Sequence, residues 1–331
     1  MLRSGATMLR DDRGYCRKSA EPPTIGSVAQ LPMNSFRPLD GFYEPSGIQQ
    51  LPDGRFLVVE DEKSHPFSVL TIDREGPIKR ISLGPGLLEL FSDFWQLDDL
   101  EGVTLDRAGF VYAITSHSRD DEGREHKARE RLVRFQVDGD GVAKAQVFEG
   151  LKDALTSKDS LLAEAAAVRD VKTKGGLNIE ALEVSADRQG LFIGFRSPLR
   201  AGRALIAHLE NPAAIFERNE APRLSAPLIE LDLEGQGIRS LAHVPTLGYL
   251  VVAGPVERRG PFALWLWDGS PAGTVCRMVI EGLNTLAHTE GVSAAAIDGK
   301  AHLVLVSDDG DRKARRPAQY LLVDIDRLRT L

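Results

Sequence analysis

No stretch of the sequence stays apolar for the roughly 20 residues that a bilayer-spanning helix needs, so no transmembrane helix is expected. The N-terminal stretch MLRSGATMLRDDRGYCRKSAEPPTIG carries basic residues but no apolar core, and it does not read as a signal peptide. A cytoplasmic location follows, with residues 1–23 expected as a disordered tail and 24–331 as a single domain; Met8 and Met33 are alternative start sites. Cysteine is nearly absent. Cys16 and Cys276 lack metal-ligand spacing and are too few for a disulfide framework. Basic excess is lacking too: 41 Lys and Arg against 48 Asp and Glu leave a net charge of −7. That balance argues against nucleic acid as a partner and is compatible with cation binding. There is no GxSxG elbow, P-loop, HExxH helix or paired CxxC, and no nucleotide cofactor is expected. The DGDG at 138–141 lacks the rest of an EF-hand loop and reads as a turn.

What the chain does contain is a repeat. Its 42% apolar and 27% charged residues are those of a globular protein, and 331 residues suffice for a large core. The stretch EGVTLDRAGFVYAITSHS, starting at Glu101, has counterparts starting at Ser46, Glu180, Arg239 and Glu290, at intervals of 55, 79, 59 and 51 residues. Each has a polar residue, usually a small residue, an apolar strand, a turn near glycine and a second apolar strand, the pattern of a β-hairpin. Further apolar strands such as FSVLTID, RLVRFQVD, RALIAHLE and FALWLWDG fill the gaps.

Four strands per interval predict an all-β chain folded as a single β-propeller. Five blades are preferred; six require a degenerate blade within 150–177. That segment reads better as a helical insertion around 155–172, because SKDSLLAEAAAVRDV is rich in alanine and leucine. The last blade lacks an outer strand, which TIGSVAQLP near residue 24 would supply, closing the ring with both termini.

The pair DLEGVTLD and ITSHS, with NIEAL…FIGFRSP and EGVS…VSDDG, resembles a bacterial β-propeller family catalogued as a domain of unknown function. The resemblance runs from about residue 40 to 327 and implies the propeller fold. It also implies a distant relation to esterase-like and phytase-like propellers, without the full calcium-ligand pattern of true phytases.

In a propeller the first strand of each blade lines the channel, and its start lies beside the end of the second strand. Ser46, Glu101, Glu180, Arg239 and Glu290 therefore form a ring at one mouth. Reflecting each through its turn places Asp61 opposite Ser46, Ser116 and His117 near Glu101, and Ser197 and Arg196 near Glu180. Gly254 falls opposite Arg239 and Asp308 opposite Glu290, with Glu60 and Asp309 nearby. Three glutamates on one axis repel unless a cation, a proton or an arginine neutralises them. A hard divalent cation such as Ca²⁺ would suit Glu101, Glu180 and Glu290. Arg196 and Arg239 would instead pair with the acids or, with Ser116, bind an anionic substrate.

His117 and Asp308 are the candidate catalytic residues, with His288 next in order. The polar segment 118–131 would form a lid or a solvated excursion, and the basic run 311–317 would attract anions or simply be solvated. Two functions follow. One is a divalent-cation-dependent hydrolase of an ester or phosphoester. The other is a non-catalytic propeller binding a small molecule or protein partner, its acids bracing the ring by bonding backbone N–H groups of neighbouring blades.

Overall fold

The computed structural model describes residues 35–61, 65–85, 92–169, 175–245, 247–257, 259–286 and 288–331. Within them the chain is a five-bladed β-propeller. After a short strand β1 (Arg37–Pro38), the first blade consists of β2 (Pro45–Gln50), β3 (Phe56–Glu60), β4 (Phe67–Asp73) and β5 (Gly76–Leu83). The second is β6 (Leu100–Leu105), β7 (Val111–Thr115), β8 (Leu132–Asp138) and β9 (Gly141–Phe148). Two helices follow, α1 (Leu151–Lys158) and α2 (Ser160–Ala167), where a helical insertion is expected. The third blade is β10 (Asn178–Val184), β11 (Leu191–Ser197), β12 (Ala204–Leu209) and β13 (Ile229–Leu231), with α3 (Pro212–Arg218) before its outer strand. The fourth is β14 (Gly237–Val244), β15 (Gly248–Gly254), β16 (Ala263–Trp267) and β17 (Val275–Ile280). The fifth is β18 (Thr289–Ile297), β19 (Lys300–Ser307) and β20 (Gln319–Asp324), and the chain ends with β21 (Leu328–Thr330).

Both ends of the described chain close the ring. The outer seat of the fifth blade is taken by β1, Arg37 pairing with Tyr320. The TIGSVAQLP segment expected there lies outside the described residues. At the other end β21 adds a fifth strand to the fourth blade, beside β17. Its short LRT sequence gives no alternation from which that strand can be read.

Adjacent blades stack face to face, and each of the five contacts is a separate apolar core. This explains the sequences of the second strands. A strand buried on both faces reads as a continuous apolar run, as in FLVVE of β3 and VYAIT of β7, every residue of which is buried. Outer strands face solvent on one side, so most residues of β5 (GPIKRISL) and all of β9 (GVAKAQVF) are exposed or half-buried.

The inner strands are latched to one another by side chains that reach across to backbone N–H groups. Ser240 Oγ accepts from Val292 N at 3.1 Å, and Ser293 Oγ accepts from Gln50 N at 3.1 Å. Glu183 joins three blades: Thr104 Oγ1 donates to Oε1 at 2.6 Å, and His243 N donates to Oε2 at 3.0 Å. The bracing role considered for the ring glutamates is thus performed one turn of the strand lower, by Glu183. Its carboxyl is pushed above the usual range by burial, against the pull of Thr104 and the backbone donors.

Glu183→Ala leaves the buried Thr104 hydroxyl and Val184 N–H without this acceptor, at a cost of roughly 1–3 kcal/mol. Chemical denaturation is expected to show a loss of that size, and an unchanged midpoint would rule out the latch.

Candidate active site

All five ring residues lie at one mouth for a reason that the hairpin pattern alone does not reveal. In each inner strand, the ring residue is the extra residue of a β-bulge. Pairing jumps from Leu100–Thr115 to Gly102–Ile114, leaving Glu101 unpaired; the same skip occurs at Ser46, Glu180, Arg239 and Glu290. A bulge leaves one residue out of the ladder and re-aims its side chain, here into the channel. The residue that follows must be small because neighbouring inner strands converge there. A Cβ on Gly102 would sit 2.8 Å from Leu182 N.

Bulges also displace the partners from their simple reflections. Asp308 bonds through its N–H to His288 O at 2.8 Å rather than pairing with Glu290. Ser197 pairs with Asn178, two residues before Glu180. The end residues of the second strands therefore stand further out than the hairpin count implies, forming a second tier above the ring.

The mouth is a cavity of about 590 Å³. Ser46, Glu101, Glu180, Arg239 and Glu290 line it, with Asp61, Arg196, Ser197 and Asp308. Glu44, Asp99 and Asn178 line it as well. Each lies two residues before a ring residue, and that recurring offset is the signal by which they are readable. Segment 118–131 contributes Ser118, Arg119, Asp120, Asp121 and Arg129, so it forms a wall of the mouth.

Several expected residues are elsewhere. The chain turns at His117 with φ 57°, and the imidazole is fully buried, its Nδ1 2.8 Å from Thr115 O. It does not line the cavity, and burial lowers its pKa to about 4. Ser116 is also fully buried; its Oγ donates to Asp99 and lies 2.8 Å from Ser118 Oγ, and Ser118 takes the lining position. Glu60 is buried against Arg80 at 2.8 Å, and Asp309 accepts from Ser307 and Gln319. His288 packs its ring against Phe262. The basic run 311–317 does not reach the cavity lining; Arg312 covers the Tyr43 ring instead.

Two of the three glutamates named for a cation are bridged by an arginine. Arg239 Nη1 donates to Glu180 Oε2 at 2.9 Å and to Glu290 Oε1 at 2.7 Å. Arg196 Nη1 and Asn178 Nδ2 hold Glu180 Oε1 at 3.0 and 2.9 Å. A guanidinium thus occupies the position between two of them. Among the described residues, no group of three or more His, Cys, Asp or Glu side chains is arranged to hold a metal ion.

A separate set of contacts holds Asp61 and Asp99. Arg129 pairs with Asp99 at 3.1 Å, and Asp61 Oδ1 accepts from Asp99 N at 3.0 Å. Burial pushes the Asp308 carboxyl up to about 9, assisted by the charges of Glu290, Glu44 and Asp61. Burial and the Glu180 charge raise Glu290 to about 7, against Arg239 and Arg196. Asp61 rises to about 7 by burial and the Asp99 charge, against Arg129. Glu101 is held well above the usual range by burial and by Asp99, Glu180 and Glu290. Orphaned polar atoms lie at the same rim: Arg239 Nε and Asn178 Oδ1 are buried without a partner among the described residues.

Fold and site together define a five-bladed propeller with an acid-rich cavity at its channel mouth. The chain belongs to the DUF3616 family, described as a protein of unknown function, which matches residues 141–324. No curated protein matches it. Among solved structures it is similar to the PQQ-bound aldose sugar dehydrogenase of Streptomyces coelicolor, at 14% identity and TM-score 0.40, over 90% of this chain and 98% of that one. The gluconolactonase XC5397 of Xanthomonas campestris is 12% identical with TM-score 0.40, over 93% and 96%. The periplasmic gluconolactonase PpgL of Pseudomonas aeruginosa is 15% identical with TM-score 0.37, over 83% and 70%. Likeness at this level carries no chemistry across.

The raised carboxyls bind protons more tightly in the folded chain than at their ordinary values of 3.8 and 4.5. Between those values and the raised ones the folded state holds more protons than the unfolded, so stability falls as pH rises through that window. The melting temperature is expected to decline from about pH 5 to about pH 9. Asp308→Asn, which cannot ionise, flattens the alkaline part; a melting temperature that climbs across this range would contradict the cluster.

Proposed function

We propose that the chain is a hydrolase of carboxylic esters, lactones included, with acid–base chemistry carried by the carboxyls of the channel mouth. The observation that supports this reading is the separation of proton affinities within one cavity: Asp308 near 9, Glu290 and Asp61 near 7. Carboxyls pushed apart by their surroundings divide the roles of acid and base. Near neutral pH Asp308 keeps its proton and donates a hydrogen bond to the oxygen on which negative charge develops. Glu290, oriented by Arg239, accepts a proton from the attacking water. Asp308 then supplies a proton to the departing alkoxide, and proton exchange with solvent restores both groups.

The acid-rich lining favours an uncharged ester over a phosphoester. Nine acids and five arginines line the cavity, an excess that repels an anion. No cation is assigned among Glu101, Glu180 and Glu290, because Arg239 lies between two of them.

The ion pairs of Arg239 also favour a second reading, a binding propeller whose arginine only braces the third, fourth and fifth blades. The pH dependence of ester hydrolysis separates the two. As hydrolase, the rate rises through an apparent pKa near 7 as the base ionises and falls near 9 as Asp308 does. Glu290→Gln is expected to lower kcat by about 10²–10⁴, and Asp308→Asn to remove the alkaline limb. A protein that keeps its melting temperature and turns over no ester or lactone at any pH is not this enzyme.

A further inference from the structure

Among the described residues, Val256 is the only hydrocarbon side chain in the lining of the channel mouth. A ligand held there gains little from burying apolar surface. It must instead replace the water that carboxyls, guanidinium groups and hydroxyls give up, because a polar group buried without a partner lowers affinity.

The order of the blades divides the mouth. Arg239 and Glu290 stand on the inner strands of the fourth and fifth blades, and Asp308 just past the second strand of the fifth. The opposite arc comes from the first three blades and mixes donors with acceptors. Ser118 Oγ donates to Asp99 Oδ2 at 3.0 Å and accepts from Arg129 Nη1 at 3.2 Å. Asn178 Nδ2 donates to Glu180, while its Oδ1 is buried without a partner among the described residues. Acids surround Glu101, with Asp99, Glu180 and Glu290 foremost among them. A group that serves such a carboxyl must donate to it when ionised and accept from it when protonated. A hydroxyl does both, whereas an ammonium only donates and a carboxylate only accepts.

We propose that the substrate is a polyhydroxylated lactone, its hydroxyl groups held by the first three blades and its carbonyl between Asp308 and Glu290. The inference rests on the hydrolase reading and names the substrate class of the same cavity. One hydroxyl donates to Glu101 on the second blade, and another to the orphaned Asn178 Oδ1 on the third.

The test compares three five-membered lactones on the full chain, with p-nitrophenyl acetate as a plain ester. They are γ-butyrolactone, ribono-γ-lactone, which adds hydroxyl-bearing carbons to the same ring, and α-amino-γ-butyrolactone, which adds an ammonium instead. Dividing each kcat/KM by the uncatalysed rate at the same pH removes differences in intrinsic reactivity. The expected result is a preference of at least about tenfold for the hydroxylated lactone over γ-butyrolactone. Glu101→Met and Ser118→Ala, which leave Asp308 and Glu290 in place, are expected to bring that ratio down toward one. The melting temperature of each variant reports whether it folds, and a change in the strength of the base alone would scale both rates and leave the ratio as it was. Equal normalised rates, a faster ammonium-bearing lactone, or an unchanged ratio in both folded variants overturns the hydroxylated substrate and leaves the hydrolase standing. Turnover of p-nitrophenyl acetate but of no lactone does the same. No turnover of any of the four overturns both.

Discussion

One guanidinium sets the order of the channel mouth. Arg239 rises from the inner strand of the fourth blade and holds Glu180 of the third and Glu290 of the fifth. Without it three glutamates would share an axis, and like charges at such range cannot all ionise. With it, two acids are placed and paired, while burial and then the neighbouring charges hold Glu290, Glu101, Asp61 and Asp308 above the usual carboxyl range. The same side chain bonds the Pro255 carbonyl, just after the second strand of its own blade. Such a buried ion pair is costly to break from one side, because the charge left behind is desolvated and unpaired. Bracing and chemistry are therefore two consequences of one contact.

The bulge makes that contact reachable. A regular strand would send the ring residue toward the neighbouring blade; the extra residue instead turns it into the channel, five times over. Small residues after it let the inner strands converge, as at Gly102 and Gly291, where a Cβ would approach its neighbours to 2.8 and 2.5 Å. Lower in the channel, Ser240, Ser293 and Glu183 fasten strand to strand. The ring is thus rigid below and polar above, which suits a site that needs fixed groups.

Much of this is legible in the chain. The five ring positions follow from repetition, because each blade must bury the same faces and turn at the same place. Glu44, Asp99 and Asn178 could have been added by their spacing of two from the ring. His117 could not have been excluded that way. Its placement depends on a left-handed backbone at the strand end, φ 57°, which turns the ring into the protein. Asp308 sits by the mouth as expected, yet opposite His288, because a bulge shifts the register by a residue that hairpin counting does not see.

By itself the sequence determined the architecture: alternation and turn residues specify hairpins, and five similar hairpins specify a ring. It also determined that this ring is acidic at one end. Which acids are paired, and which are buried beside other charges, were decided by the tertiary structure. The physical reason is that proton affinity depends on burial and on distances of a few ångströms. Those distances join residues such as Glu180, Arg239 and Glu290, which are 59 and 51 positions apart in the chain and meet only when the ring closes.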